Sequence, residues 1–396
     1  MTRYEPKSAE QLNLMSHQTT RQTTLNPVQK LRLDRPDGRY LYLYAFDQPI
    51  PPIIDVEEQL RGDDQVELRW NPLLAEHVIV STGRQSRTFL PPPEYCPLCP
   101  TAGPDAFATE VPATTYELAA FENRFPSFRP DAPAVENESA LYRRARAAGV
   151  CEVVLYSPDH DASLATLPEA QTRHLVDVWC DRYADLAARD DVRYVFIFEN
   201  RGKEIGVTLT HPHGQIYAFP FIPPKVQQEQ AAAFLHFQRT GRCLQCDIVA
   251  EEIAHSARPG GRVVATEPGF IAYVPFAAHF PYEVHVAATA HRESLDDITP
   301  HERDSLARIL RAVQSAYDNL WAFPMPYTMV MHQRAADAVA RPSDHLHIEF
   351  TPPYRTKDKL KYLAGVETGA GTFINDTAPE EKAAELRNAL NGSVKE

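Results

Sequence analysis

No apolar run in the 396-residue sequence is long enough to span a bilayer, and its opening, MTRYEPKSAEQLNLMSHQTTRQ, lacks the apolar stretch of a signal peptide. These two absences give the expectation of a cytoplasmic chain without a membrane partner. There is no G-x-G-x-x-G and no P-loop, so neither common glycine-rich phosphate cradle is in use. Positive charge is also short: 40 Lys and Arg against 53 Asp and Glu leave a formal charge of -13. No basic stripe with interleaved aromatics relieves that deficit, so a nucleic-acid partner is not expected; a local basic pocket for phosphate remains compatible. Cysteine is scarce as well, with six in the chain. Here spacing matters more than number.

Four of the six form two C-x-x-C pairs, Cys96/Cys99 in CPLC and Cys243/Cys246 in CLQC, while Cys151 and Cys180 stand alone. In a reducing compartment such pairs point to metal or redox chemistry before disulfides. The same landmarks follow each pair in the same order. VVLYSPDHDASL carries His160 ahead of Ser163-Leu164, and EVHVAATAHRESL carries His291 ahead of Ser294-Leu295. Thr166-Leu167-Pro168-Glu169 and Thr299-Pro300-His301-Glu302 then have capping-box spacing, which predicts helices over 169–189 and 301–321. A β-rich segment comes next (VRYVFIFEN, YTMVMHQ), and then an alternating histidine segment, HPHGQ (211–215) or HLHIE (345–349). This recurring order implies an internal duplication. Residues 1–30 read as a polar arm, PPPEYCPLCPTAGP and FRPDAPAVENES as proline-rich loops, and Thr377-Ala378-Pro379-Glu380 as a third helix start. Mixed helices and hairpin-like strands give an α+β class.

Zinc in a closed site takes four nitrogen or sulfur ligands. The first half offers Cys96, Cys99, His160 and His211; the second offers Cys243, Cys246, His291 and His345. Buried thiols beside core histidines are the plainer alternative, and a thioredoxin-like redox pair is another. The redox alternative leaves the trailing histidines unexplained. In HPHGQ, an extended backbone would set His211, His213 and Gln215 on one face, with Pro212 and Gly214 on the other. Three polar side chains along one face are unusual for a core strand, so that face is expected to act on something.

FENRG (198–202), Gly206 and HPHGQ (211–215) together resemble the signature of class I galactose-1-phosphate uridylyltransferases, a family within the histidine-triad superfamily. The resemblance runs from near Trp70 to the C-terminal helix. It implies two duplicated histidine-triad-like halves, each an antiparallel sheet with packed helices. The division expected is an N-terminal arm and lead-in over 1–69, a half with the active site over 70–225, and a structural, hexose-binding half over 226–396. The implied reaction moves a uridylyl group from UDP-glucose to galactose 1-phosphate, by ping-pong turnover through His213, with Gln215 on the transferred phosphoryl group. Cys96, Cys99, His160 and His211 match the family's zinc ligands. Asn200 and the run Gly206, Val207, Thr208 match phosphate-contacting positions, with Thr208 where a serine is usual. Arg84 and Arg87, with Asn123 and Arg124, match nucleotide-binding positions; Arg124 replaces an acidic residue. Lys361, Tyr362, Val366 and Glu367 in KYLAGVE match a hexose-binding segment that the family supplies from the partner subunit of a homodimer.

The chain also departs from the family pattern. A second metal in the family, zinc or iron, is bound by a glutamate and three histidines. Glu229, His332 and His347 match, but Glu349 stands for the third histidine, and this set competes for one strand with the Cys243, Cys246, His291, His345 tetrad. A glutamine expected near Phe373 is missing. HLHIE has no counterpart of Gln215, so one active site per chain is expected. The rival readings are a nucleotide-sugar or dinucleoside-polyphosphate phosphorylase of the same superfamily and a non-catalytic zinc-stabilised binding protein.

Overall fold

Phe198 and Val330 face each other on adjacent strands, and the molecule repeats itself on either side of that pair. The computed structural model describes residues 21–25, 28–57, 59–62, 65–86, 89–337, 339 and 341–392. Ahead of the repeat, β1 (Arg21–Leu25), β2 (Val28–Asp34) and β3 (Tyr40–Ala45) form a meander, and β4 (Val66–Asn71) pairs with β5 (Glu76–Ser81). The first half adds β6 (Leu118–Glu122), β7 (Arg144–Arg146), β8 (Val150–Leu155), helix α1 (Glu169–Ala187), β9 (Tyr194–Arg201) and β10 (His213–Phe219). Helices α2 (Pro224–Thr240) and α3 (Leu244–His255) lead into β11 (Val263–Glu267), β12 (Phe270–Tyr273) and β13 (Val284–Ala288). Helix α4 (Pro300–Trp321), β14 (Tyr327–His332) and β15 (His347–Thr351) complete the second half, followed by α5 (Gly365–Ala370) and α6 (Pro379–Leu390).

Among the described residues twelve strands share one sheet in the order β1-β2-β3-β6-β8-β10-β9-β14-β15-β13-β12-β11. The halves join edge to edge through β9 and β14, so neither inner edge is left to pair with another chain. Equivalent positions follow from the registers. Gln215 pairs with Phe198 and Val153, and Glu349 pairs with Val330 and His285. Each pair of pairs matches the other, so Glu199 is equivalent to Met331, Asn200 to His332, His213 to His347 and Gly214 to Ile348.

Helices α1 and α4 cover one face of the sheet. They follow the expected spans closely, because Leu175, Val176, Trp179 and Tyr183 in α1, and Leu306, Ile309, Leu310, Val313 and Tyr317 in α4, recur at helical spacing and are buried. The start of α4 is a capping box, with Thr299 accepting from Glu302 N and Glu302 accepting from Thr299 N. The start of α1 is not. Its cap position is Pro168, and the Thr166 hydroxyl instead accepts from Ser163 N at 2.8 Å, so that expected box is corrected to a turn ahead of the helix. The expected polar arm is corrected too: residues 21–25 and 28–34 form the outer hairpin of the sheet, and residues 1–20, 26 and 27 lie outside the described residues. β4 runs across residue 70, where the second expected unit begins.

Candidate active site and metal centres

Side chains alternate along β10. Ile216 and Ala218 join the core beneath α1 and α4, whereas Tyr217 packs with Phe128 and Cys151 on the opposite face. His213 and Gln215 belong to the Tyr217 face, and Phe198 opposite Gln215 brings Asn200 to that same face of β9. His211 precedes the strand. Its carbonyl accepts from His213 Nδ1 at 2.7 Å. With Nδ1 carrying the hydrogen, Nε2 keeps its lone pair, and burial lowers the pKa of His213, which favours the neutral ring. The amides of Asn200 and Gln215 are not committed to a protein partner among the described residues.

Gly214 lies between His213 and Gln215 in the strand and faces the helix side. A Cβ there would strike the Tyr156 hydroxyl, which crosses β10 through that gap. Gly206 has φ +81° at the end of the short turn Lys203–Ile205, a left-handed conformation that favours glycine. That turn leads into Val207 and Thr208, whose carbonyl accepts from Leu90 N at 2.7 Å.

Next to His213, one ligand atom from each of Cys96, Cys99, His160 and His211 lies within 4.8 Å of the other three. Cys99 Sγ is 3.3 Å from His160 Nδ1 and 3.4 Å from His211 Nδ1. The outer nitrogens are engaged. His211 Nε2 donates to the Ser157 carbonyl at 2.8 Å with the Tyr116 hydroxyl at 2.9 Å, and His160 Nε2 lies 2.9 Å from the Thr210 hydroxyl. Both Nδ1 lone pairs therefore face the thiols. Burial, and then the neighbouring Cys96, push the Cys99 thiol up to about 12; burial pushes His211 down to about 4. Two sulfurs and two lone pairs converging without a charge between them is a donor set that fits a soft divalent cation.

The second half repeats this. Cys243, Cys246, His291 and His345 converge within the same limit, with Cys246 Sγ 3.6 Å from His291 Nδ1 and 3.5 Å from His345 Nδ1. His345 Nε2 donates to the Ala288 carbonyl at 2.9 Å. Glu229, His332, His347 and Glu349 form a further group, in which His332 Nδ1 is 2.6 Å from Glu229 Oε2. The two sets share no residue and converge separately: His345 precedes β15, while His347 and Glu349 lie in it. Lys225 Nζ also reaches Glu349 Oε2 at 2.5 Å. A cavity of about 1130 Å³ beneath α2 and α3 opens on Glu229, His332, His347 and Glu349, not on His213.

The other candidates are more dispersed. Arg84 Nη1 donates to the Phe125 carbonyl at 3.2 Å and the Tyr217 hydroxyl at 3.3 Å, while Arg87 lies outside the described residues. Asn123 Oδ1 accepts from Phe125 N at 2.8 Å, and Arg124 donates to Gln59 with Glu110 3.8 Å away. Lys361 is buried against Glu367 at 3.4 Å and the Ile374 carbonyl, and Glu367 also accepts from Ala364 N at 3.1 Å, capping α5. Tyr362 and Val366 are exposed. Phe373, near which a glutamine was expected, stacks on His279 at 4.2 Å. Among the described residues, none of the polar contacts of Lys361 or Glu367 reaches His213.

Three supporting residues had escaped the sequence reading. Tyr116 and Ser157 hold His211, and no local pattern marks them. Glu199 was visible as the second letter of FENRG but carried no assigned role.

No helix among the described residues is long and apolar enough to cross a membrane. The profile described as "Galactose-1-phosphate uridyl transferase, N-terminal domain" matches residues 58–223, and its C-terminal counterpart matches 227–395. Galactose-1-phosphate uridylyltransferase of Thermotoga maritima is 42% identical over 328 residues, covering 81% of this chain and 98% of its own. The enzyme of the same name from Streptomyces lividans is 36% identical over 371 residues, covering 90% and 96%. A solved uridylyltransferase structure superposes with a TM-score of 0.71 at 33% identity, covering 83% of this chain and all of that one. With both profiles spanning most of its length and close relatives aligned nearly end to end, the chain belongs to the galactose-1-phosphate uridylyltransferase family.

Proposed function

We propose that this chain transfers a uridylyl group from UDP-glucose to galactose 1-phosphate through a covalent intermediate on His213. The observation that carries the reading is the His213 ring, with Nδ1 donating to the His211 carbonyl at 2.7 Å and Nε2 left as a nucleophile on the face it shares with Gln215 and Asn200. In the first half-reaction Nε2 attacks the α-phosphorus of UDP-glucose. A nitrogen–phosphorus bond forms and the bond to glucose 1-phosphate breaks. A phosphate oxygen of galactose 1-phosphate then takes the uridylyl group, giving UDP-galactose and restoring the free ring. Glucose 1-phosphate leaves as an ionised phosphate in the first step, and in the second an ionised phosphate is the acceptor while the His213 ring leaves neutral, so neither step needs a general acid, and the neutral Gln215 amide serves by donating to the phosphoryl oxygen. Two half-reactions at one site give ping-pong kinetics.

Asn200 and the Gly206–Thr208 run would contact the phosphates, and Arg84, Arg87, Asn123 and Arg124 the nucleotide. Zinc would be held by Cys96, Cys99, His160 and His211, where it supplies a fixed anchor for the backbone leading into His213. Cys243, Cys246, His291 and His345 would hold a second zinc, and Glu229, His332, His347 and Glu349 are the alternative set for a second metal, zinc or iron. The exposed Tyr362, Leu363 and Val366 beyond the buried Lys361 support a homodimer in which the segment from Lys361 to Glu367 serves the partner subunit. The assignment of 1–69 to a lead-in, 70–225 to the active half and 226–396 to the structural half belongs to the same reading, as does a cytoplasmic location.

Phosphorus NMR of the protein with UDP-glucose and either galactose 1-phosphate or inorganic phosphate tests this. UDP-galactose and glucose 1-phosphate from the first mixture are expected. Consumption of UDP-glucose only with inorganic phosphate would make the chain a phosphorylase, and no turnover in either mixture would leave a non-catalytic zinc-stabilised protein.

A further inference from the structure

Beneath the strand that carries His213 runs a buried polar chain that the reaction as written does not use. Glu199 points to the helix side of β9, opposite to Asn200, and is 6% exposed. The Tyr156 hydroxyl donates to Glu199 Oε2 at 3.2 Å, crossing β10 at Gly214. The Tyr327 hydroxyl, from the second half, donates to Glu199 Oε1 at 3.0 Å. Gln314 of α4 donates to the Tyr327 oxygen and accepts from Ala165 N, in the loop that follows His160. Tyr156, Gln314 and Tyr327 are fully buried. Among the described residues Glu199 has no ion-pair partner, and Arg201, next along its face of β9, is committed to Asp318 at 2.7 Å. Burial raises the Glu199 carboxyl to about 7 despite both hydroxyl donors.

A buried carboxyl without a counter-ion costs stability. The duplicate shows that the fold does not need one. At the equivalent places the second half has Met331 for Glu199, Ile348 for Gly214 and Ala288 for Tyr156, and all three are buried. There isoleucine stands where glycine opens the gap, and alanine stands in place of the tyrosine that crosses it. The same sheet thus packs well with apolar residues, and the polar version occurs only under the nucleophile.

We propose that Glu199 is a positioning residue for uridylyl transfer. By holding Tyr156 through the gap at Gly214, and Tyr327 from across the pseudo-twofold axis, it fixes the backbone between His213 and Gln215 and the adjoining Asn200. The proposal rests on the reading of His213 given above.

The test compares Glu199→Met, which copies the second half, with Glu199→Gln, Tyr156→Phe and Tyr327→Phe, measuring kcat, KM for UDP-glucose, zinc content and thermal midpoint. Expected is a fall in kcat on the order of 10–100-fold with KM within about threefold, because small misplacements of reacting groups are costly in rate. Zinc content should match wild type, and the midpoint of Glu199→Met should not fall. Should Glu199→Met fail to fold, the two Tyr→Phe variants carry the comparison. A kcat within about twofold of wild type in the folded variants overturns the proposal, as does a loss of kcat that merely tracks loss of zinc. Wild-type protein that forms no UDP-galactose overturns the underlying reading, and this proposal with it.

Discussion

His213 and His347 occupy equivalent places in β10 and β15, and each donates from Nδ1 to the carbonyl of the histidine two residues earlier, at 2.7 and 3.1 Å. Each lies beside a Cys2His2 cluster. What differs is the charge around the ring. The first half offers neutral amides, Gln215 and Asn200, where the second has Glu349 and His332 with Glu229 2.6 Å from His332. Carboxylates beside a ring repel the phosphates of a nucleotide, whereas amides can donate to them. The duplicated scaffold positions a histidine twice, and on the proposed reading the neighbouring charges leave His213 as the one fit for phosphoryl chemistry.

The largest expected effect separates the two rings outright. His213→Ala should lower kcat on the order of 10⁴-fold or more, while His347→Ala leaves turnover of the folded protein within about twofold, read in a UDP-galactose formation assay. Comparable losses in both would break the comparison. Gln215→Glu imposes the second half's charge on the first and should cost roughly 10²–10³-fold in kcat, since it replaces a donor by a like charge. The metal clusters come next. Cys99→Ser should remove one zinc per chain and lower activity at least roughly 10-fold, whereas Cys246→Ser should remove one zinc, reduce thermal stability and leave kcat within about threefold. Metal analysis beside steady-state kinetics checks both.

The smallest effect is a pH dependence of stability. The Glu199 carboxyl is raised in the folded protein to about 7 from 4.5, so folding takes up a proton between those values. Its contribution is most favourable at low pH and is lost as pH rises through the folded-state value. The melting midpoint of Glu199→Met relative to wild type should therefore climb from pH 5 to pH 8.5, as thermal scans across that range would show. A constant difference would mean that Glu199 keeps one charge state throughout.

Much of this architecture is legible in the sequence because the chain states it twice. The C-x-x-C pairs, the trailing histidines and the alternation in HPHGQ are local patterns, and the ligand sets follow from their repetition. Contacts between distant segments leave no such trace. Tyr116 reaches His211 across 95 residues, and Tyr327 reaches Glu199 across 128, so neither pairing has a spacing to read. Thr166 had the right spacing for a cap, yet with Pro168 at the cap position its hydroxyl turned to Ser163. The crowding of His345, His347 and Glu349 into five residues suggested competition for one strand. His345 lies ahead of β15 and converges with Cys243, Cys246 and His291, whereas the other two lie in the strand and converge with Glu229 and His332, a division only the fold reveals.

Intact-mass spectrometry of the purified protein mixed with UDP-glucose alone, then with galactose 1-phosphate, tests the central claim most directly. The account predicts a single uridylyl adduct per chain, present in His347→Ala, absent in His213→Ala, and discharged as UDP-galactose by the sugar phosphate. Two adducts per chain, or one that survives in His213→Ala, would contradict it.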